Sequence, residues 1–380
     1  MNFVGEWTNA RGAYRFCPIG VEAERRAHGD TQVSRKINVG IIGTGWIGEI
    51  RARTCAAHPL VESLHLAEID EARLTRVARE TRAGSATADY RELLHRKEID
   101  AIIVSTTPET THYPFTRDCL LARKHTFLEK PMGLELKEAD ELMALAREAH
   151  LKLTIGYTQR FNPKYAYVKQ CLEDGTLGRP VTALVSRNVS RSIGNKIGGR
   201  IRLSPAVMEA THDLDFILWC LEGRKPVRVY SQAVNRIMEQ AHGVPDCQWI
   251  MVTMDDGTVF TIGAGWALPP GYPHFSTATI EFVATEGALL IDDSHRDIVL
   301  NTMQKGMVLP LSTMPGEQVR HVYQGPMEAE TVHFIEAVAL DRPVLVTPEQ
   351  ARQVMEVTLA ADLSAERHAP VGLPLDRHRP

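Results

Sequence analysis

Residues 37–48 read INVGIIGTGWIG. The apolar run Val39, Ile41 and Ile42 leads directly into Gly43-Thr44-Gly45-Trp46-Ile47-Gly48, a strand running into the G-x-G-x-x-G turn that opens a dinucleotide-binding βαβ unit. Each glycine has its own task. Gly43 permits the tight turn out of the strand, Gly45 lets backbone approach a pyrophosphate, and Gly48 lets the next helix lie close to the strand. That helix begins with free N–H groups and the positive end of its dipole, a site for phosphate. A second apolar run, Leu64 to Ala67, ends at Glu68, twenty residues beyond Gly48. An acid at that distance accepts a hydrogen bond from a ribose 2′-hydroxyl and repels an added 2′-phosphate, so the spacing predicts NAD over NADP.

Working outward, short apolar runs alternate with helical stretches as far as Tyr157. Glu71–Arg82, Ala88–Leu94, Thr110–Ala122 and Lys137–Ala149 read as helices. Ile99–Ser105, His125–Leu128 and Leu151–Gly156 read as buried strands. This rhythm implies a parallel sheet covered on both faces. Beyond Tyr157 strands dominate, at Val181–Asn188, Val227–Val234, Gln248–Met254, Val259–Trp266 and Thr277–Ala284, with Asp256-Gly257 as a hairpin turn. Such an antiparallel sheet, apolar on both faces, needs helices on one side and a second subunit on the other. The chain closes with helices around Glu328–Ala339 and from Pro348 to Arg367. The expected fold class is α/β: an arm over 1–36, a parallel-sheet nucleotide-binding domain over 37–157, and an α/β domain with a large, mainly antiparallel sheet over 158–380.

Composition narrows the partners. An apolar fraction of 44% and a charged fraction of 24% are those of a chain with ample core. A net charge of −4 gives no electrostatic reason to expect nucleic acid or an anionic membrane, and no apolar run is long enough to span a bilayer. The six cysteines are scattered without a C-x-x-C pair, which suits reduced thiols in the cytoplasm. The fifteen histidines show no metal-ligand spacing. Residues 1–36 are polar and Arg-rich, without a signal-like apolar segment; Trp7, Tyr14 and Phe16 leave room for an arm that packs on a neighbour.

Two further stretches carry chemistry. Glu129-Lys130-Pro131 follows a strand, which puts Lys130 at the carboxyl edge of a parallel sheet, where ligands bind. Proline after it biases Lys130 away from helical angles. The helix Pro205–Leu221 carries an apolar stripe, with Met208, Glu209, His212, Asp215 and Phe216 on an adjacent face.

The glycine turn, the run Ser105-Thr106-Thr107-Pro108 with His112 four residues on, the Glu129-Lys130-Pro131 tripeptide and Gly156–Pro163 follow one another as in the glucose–fructose oxidoreductase, inositol dehydrogenase and rhizopine catabolism (Gfo/Idh/MocA) family. The chain resembles that family from Ile37 to Leu373. The resemblance implies a Rossmann domain, an open sheet used for homodimer or homotetramer contacts, and hydride transfer between nicotinamide and a sugar, polyol or related alcohol or carbonyl substrate. It implies cofactor contacts from Gly43, Gly45, Trp46, Ile47, Gly48, Glu68, Ser105, Thr106, Thr107, Pro108, His112, Glu129, Lys130 and Arg160. Substrate contacts would come from Lys130, Arg160, Glu209 and His212. In relatives the lysine matching Lys130 holds the reacting oxygen, and a histidine matching His212 is the acid/base. Arg160 could equally be a salt-bridged structural arginine. Trp266 could wall the pocket or pack between subunits, and packing is the preferred reading.

One departure stands out. Many relatives have a carboxylate four residues before this histidine; here that residue is Met208, with Glu209 at i, i+3 as a partial substitute. The departure keeps open a cyclic cis-diol or other non-sugar alcohol as substrate, and, in a different class, a non-catalytic NAD(H)-binding sensor.

Overall fold

The structure, a computed structural model, describes residues 35–269, 276–292, 300–304, 306–308, 317–319 and 322–375. The aromatic residues of the arm, and Pro270–Pro273 of the proline-rich loop, lie outside the described residues.

Six parallel strands form the first sheet: β1 (Ile37–Ile42), β2 (Val61–Ala67), β3 (Ser85–Thr87), β4 (Ala101–Val104), β5 (His125–Leu128) and β6 (Leu153–Ile155). Their order is β3-β2-β1-β4-β5-β6, which leaves a crevice where the order reverses, between β1 and β4. Five helices connect them: α1 (Trp46–Ala57), α2 (Glu71–Thr81), α3 (Tyr90–His95), α4 (His112–Leu121) and α5 (Leu136–Glu148). Strand residues are apolar on both faces because both are covered. Val39, Ile41, Leu66 and Ile103 pack on α1 and α2, while Ile102, Val104, Leu128 and Ile155 pack on α4 and α5.

The second domain contains α6 (Pro163–Glu173), β7 (Pro180–Ser190), α7 (Arg191–Gly198), α8 (Thr211–Cys220), β8 (Pro226–Val234), α9 (Met238–His242), β9 (Cys247–Met254), β10 (Val259–Leu268), β11 (Ser276–Ala284) and β12 (Ala288–Asp292). Its sheet runs β12-β11-β7-β10-β9-β8 and ends on the short strand Val371–Gly372. All neighbours are antiparallel except β7 and β10. Two last helices, α10 (Pro326–Ala339) and α11 (Pro348–Arg367), complete the chain. Phe334 and Ile335 of α10 return to the first sheet, so a late segment covers the nucleotide-binding domain. Helices α6, α7 and α9, β3 and β12 were not expected from periodicity. The short ones have no full apolar face, and α6 starts with Asn162 as cap and Pro163 in its first turn.

One departure bears on the site. The helix expected over Pro205–Leu221 begins as a π turn, Ala206–Ala210, before α8 continues it. A π turn widens the i→i+4 ladder and alters which backbone carbonyls are free to take other partners.

The domains are joined through a buried guanidinium. Arg51 of α1 is 0% exposed. It donates twice to Glu129 Oε1 (2.8 and 2.6 Å), once to Glu330 Oε2 (2.8 Å) and once to Thr331 Oγ1 (2.9 Å), and stacks on Phe127. Two carboxylates thus share one cation. Burial pushes the Glu330 carboxyl up to about 7, with Arg51 offsetting only part of that and Glu129 adding to it. Because the folded value lies above the unfolded one, the linked stability is complete below about pH 4 and is lost as pH rises through about 7. In urea unfolding at a series of pH values, Glu330→Gln should flatten this part of the stability profile; a slope identical to that of the wild type would contradict the assignment.

Candidate active site

The glycine turn is shaped as its sequence demands. Gly43 has φ +88°, and a Cβ there would lie 2.5 Å from the Ser105 carbonyl oxygen. A Cβ at Gly48 would run into the Gly43 carbonyl. At Gly45 a Cβ would meet nothing, so this is the open side of the turn. Gly45 is also the N-cap of α1 and offers no side chain to its first turn, which leaves the amides at Trp46, Ile47 and Gly48 for an anion. Trp46 is exposed and Ile47 half-buried. These features fit a dinucleotide pyrophosphate.

Glu68 stands beside the turn at the end of β2. Its Oε2 accepts from Thr44 N (2.7 Å) and Thr44 Oγ1 (3.1 Å), and its Oε1 accepts from Asp70 N (3.0 Å). Arg73 lies 3.2 Å away. Burial alone would raise this carboxyl, but the Asp70 and Thr44 amides and Arg73 outweigh it and hold the group below its usual range. Glu68 therefore braces the turn as a carboxylate, and Oε1 keeps a lone pair for a ribose hydroxyl.

At the ends of β4 and β5 several of the expected ligand residues already have partners within the protein. Ser105 is buried, Thr106 bonds Thr111 Oγ1 (2.6 Å), and Thr107 is exposed. The buried His112 ring places Nδ1 2.8 Å from the Pro131 carbonyl and Nε2 3.0 Å from the Thr106 carbonyl. A neutral imidazole has one N–H, so the ring donates to one carbonyl or the other and sits between the Thr106–Pro108 and Lys130–Pro131 loops. The Glu129 side chain is likewise turned to Arg51. Arg160 also departs from expectation. It donates to both oxygens of Asp215 (2.8 and 2.6 Å), to Gln350 Oε1 (2.7 Å) and to the Leu345 carbonyl (3.1 Å). Buried and with its guanidinium so occupied, it is a structural cross-link rather than a ligand contact.

Lys130 and His212 are brought together across the domain boundary. Lys130 Nζ donates to the Met208 carbonyl at 2.7 Å, within the π turn one turn before His212. The Met208 side chain packs instead with Trp266, Met238, Val189, Ile197 and Val244. Glu209 Oε1 accepts from the Trp266 indole N–H at 2.8 Å. Trp266 itself is fully buried within the protomer, which rules out its packing between subunits. Burial lowers the Lys130 pKa, with Glu209, Glu109 and Glu129 offsetting part of that. Burial, then the charges of Lys130 and Arg187, hold the His212 imidazole well below its usual value. His212 is neutral near pH 7, and its ring has no hydrogen-bond partner among the described residues.

Several residues of this site were not read from the sequence. Arg187 binds both oxygens of Asp213 (2.6 and 2.7 Å), the neighbour of His212. One signal was present: Ala183, Val185, Arg187 and Val189 alternate inward along β7, and an arginine at a core-facing position requires a buried acid. Glu109 and Arg200, paired across the cleft, had no comparable signal.

Residues 37–157 match the oxidoreductase family with an NAD-binding Rossmann fold (GFO/IDH/MocA), and residues 165–290 match the GFO/IDH/MocA C-terminal domain. The scyllo-inositol 2-dehydrogenase (NAD(+)) of Bacillus subtilis is 25% identical over 349 residues, 91% of this chain and 98% of that protein. The myo-inositol 2-dehydrogenase of Thermotoga maritima is 24% identical over 346 residues, 89% of this chain and 98% of that one. The scyllo-inositol dehydrogenase of Lactobacillus casei, solved with NAD(H) and scyllo-inositol, superposes with a TM-score of 0.76 at 20% identity, covering 89% of this chain and 99% of the other. With the glycine turn, the braced Glu68 and these matches in hand, the chain belongs to the GFO/IDH/MocA family of NAD-binding oxidoreductases.

Proposed function

We infer that the protein oxidises a secondary alcohol of an inositol or related polyol, or reduces the matching ketone, with Lys130 and His212 as its catalytic residues. The observation that supports this reading is the Lys130 hydrogen bond to the Met208 carbonyl, one helical turn before His212, with the Lys130 charge near enough to lower the His212 pKa. The Gly43–Gly48 amides and Glu68 would hold NAD, which would supply the hydride acceptor. His212 takes the hydroxyl proton, for which its unprotonated form is required. Lys130, fixed on the Met208 carbonyl, has further N–H groups to direct at the oxygen as it gains alkoxide character, an interaction strongest in the transition state. Glu209 retains Oε2 for a second substrate hydroxyl.

The outer face of the second sheet supports self-association. Leu290, Glu281, Leu184, Thr261, Met251 and Tyr230 lie in one row of paired residues across five strand boundaries. Leu184, Met251, Leu290 and nearby Trp249 are exposed. Four exposed apolar side chains on one sheet face, interspersed with Glu281 and Thr261, suit the same surface of a second copy in a homodimer or tetramer. Among the described residues no helix is long and apolar enough to cross a membrane. The described cysteines are unpaired, which suits a reducing compartment such as the cytoplasm. Analytical ultracentrifugation of Trp249→Glu should show a shift to monomer; an unchanged mass would contradict this interface.

Two kinetic results are expected. His212→Ala should lower kcat for polyol oxidation by about 10²–10⁴. In the wild type, oxidation should stay level as pH falls through 6.5 and decline only below it, because the His212 pKa is depressed below that value. Full turnover by His212→Ala, or an acid limb centred at or above 6.5, would contradict the role.

A further inference from the structure

Glu109 and Arg200 have no role in the proton and hydride chemistry, yet they meet across the boundary between the two domains. Glu109 follows Pro108 at the carboxyl edge of the Rossmann sheet and is 4% exposed. Arg200 comes from the segment after α7 in the second domain, and its Nη2 donates to Glu109 Oε1. A guanidinium and a carboxylate can share two parallel hydrogen bonds, but this pair makes one. Glu109 Oε2 and Arg200 Nε are both buried and have no hydrogen-bond partner.

A buried carboxylate oxygen and a buried N–H left unmatched are each costly and call for an explanation. Together they present an acceptor and a donor on adjoining groups. They also lie within electrostatic reach of Lys130, whose pKa Glu109 raises and Arg200 lowers. Two neighbouring sugar hydroxyls are the chemical complement, since each hydroxyl donates one hydrogen bond and accepts others.

We propose that Glu109 and Arg200 form a vicinal-diol subsite across the domain cleft, Glu109 Oε2 accepting from one hydroxyl and Arg200 Nε donating to its neighbour. Resting on the polyol reading above, this supplies from the Rossmann domain a carboxylate that Met208 does not provide on the helix. The diol belongs either to the polyol ring or to the nicotinamide ribose, which share this chemistry.

The test compares wild type, Glu109→Ala, Glu109→Gln and Arg200→Lys, each checked for an unchanged melting temperature. Steady-state kinetics use myo-inositol and a monodeoxy-inositol lacking the hydroxyl beside the reacting carbon, and NADH binding is read by fluorescence. If the polyol ring fills the subsite, Glu109→Ala raises KM for myo-inositol about ten- to a hundredfold, leaves the deoxy compound nearly unaffected and leaves NADH affinity unchanged. Glu109→Gln and Arg200→Lys give smaller shifts in the same direction. If the ribose fills it, NADH affinity falls by that factor and both inositols are affected alike. Unchanged NADH affinity with an unchanged ratio between the two inositols overturns the subsite, as does a uniform loss that follows melting temperature. A wild type that oxidises no inositol refutes the polyol reading separately; the subsite then stands or falls on NADH affinity alone.

Discussion

The hydrogen bond from Lys130 Nζ to the Met208 carbonyl, 2.7 Å long, is the constraint on which the site depends. Its donor stands at the end of a Rossmann strand, and its acceptor lies in the helix of the other domain. A charged amine removed from water must find a partner, and a hydrogen bond to a charged group is worth about 1.5–3 kcal/mol. The π turn at Ala206–Ala210 is where that partner is found. Where the family resemblance leads one to expect a carboxylate side chain, this chain presents the main chain of Met208, and the methionine side chain fills an apolar pocket against Trp266.

Around this contact three buried arginines fix the framework. Arg51 ties the glycine-turn helix to Glu129 and to α10, Arg160 ties the Gly156–Pro163 segment to α8 and α11, and Arg187 ties β7 to α8. Asp213 and Asp215, in the turn that follows His212, are thereby anchored to different segments. Removing one partner of such a buried pair costs about 3–5 kcal/mol, because the other charge remains. The cost of burying these ions is offset by a site whose dipoles need little rearrangement during reaction, the condition under which electrostatic stabilisation is most effective.

What could be read from the sequence follows from the range over which each constraint acts. Gly43, Gly45 and Gly48 were legible because backbone geometry imposes them within six residues, and Glu68 because a βαβ unit sets its distance. Lys130 and His212 are singled out by motif position. Position alone could not say which way a side chain turns: His112, Glu129 and Arg160 lie at the site but face carbonyls, Arg51 and Asp215 respectively. Trp266 with Glu209, and Glu109 with Arg200, are pairs made by tertiary folding between distant segments, with no local pattern to mark them. The π turn also lacked a marker, since an apolar stripe has nearly the same spacing in either helix type over a single turn.

The most direct test of a joined Lys130–His212 site is a single turnover with an inositol deuterated at its carbinol carbons, followed by mass spectrometry of the nicotinamide product. Direct transfer predicts reduced NAD carrying one deuterium from the substrate, formed together with an equal amount of ketone and slowed in Lys130→Met as in His212→Ala. Tight NAD binding with no reduced cofactor from any inositol would contradict it and leave a nucleotide-binding protein without this chemistry.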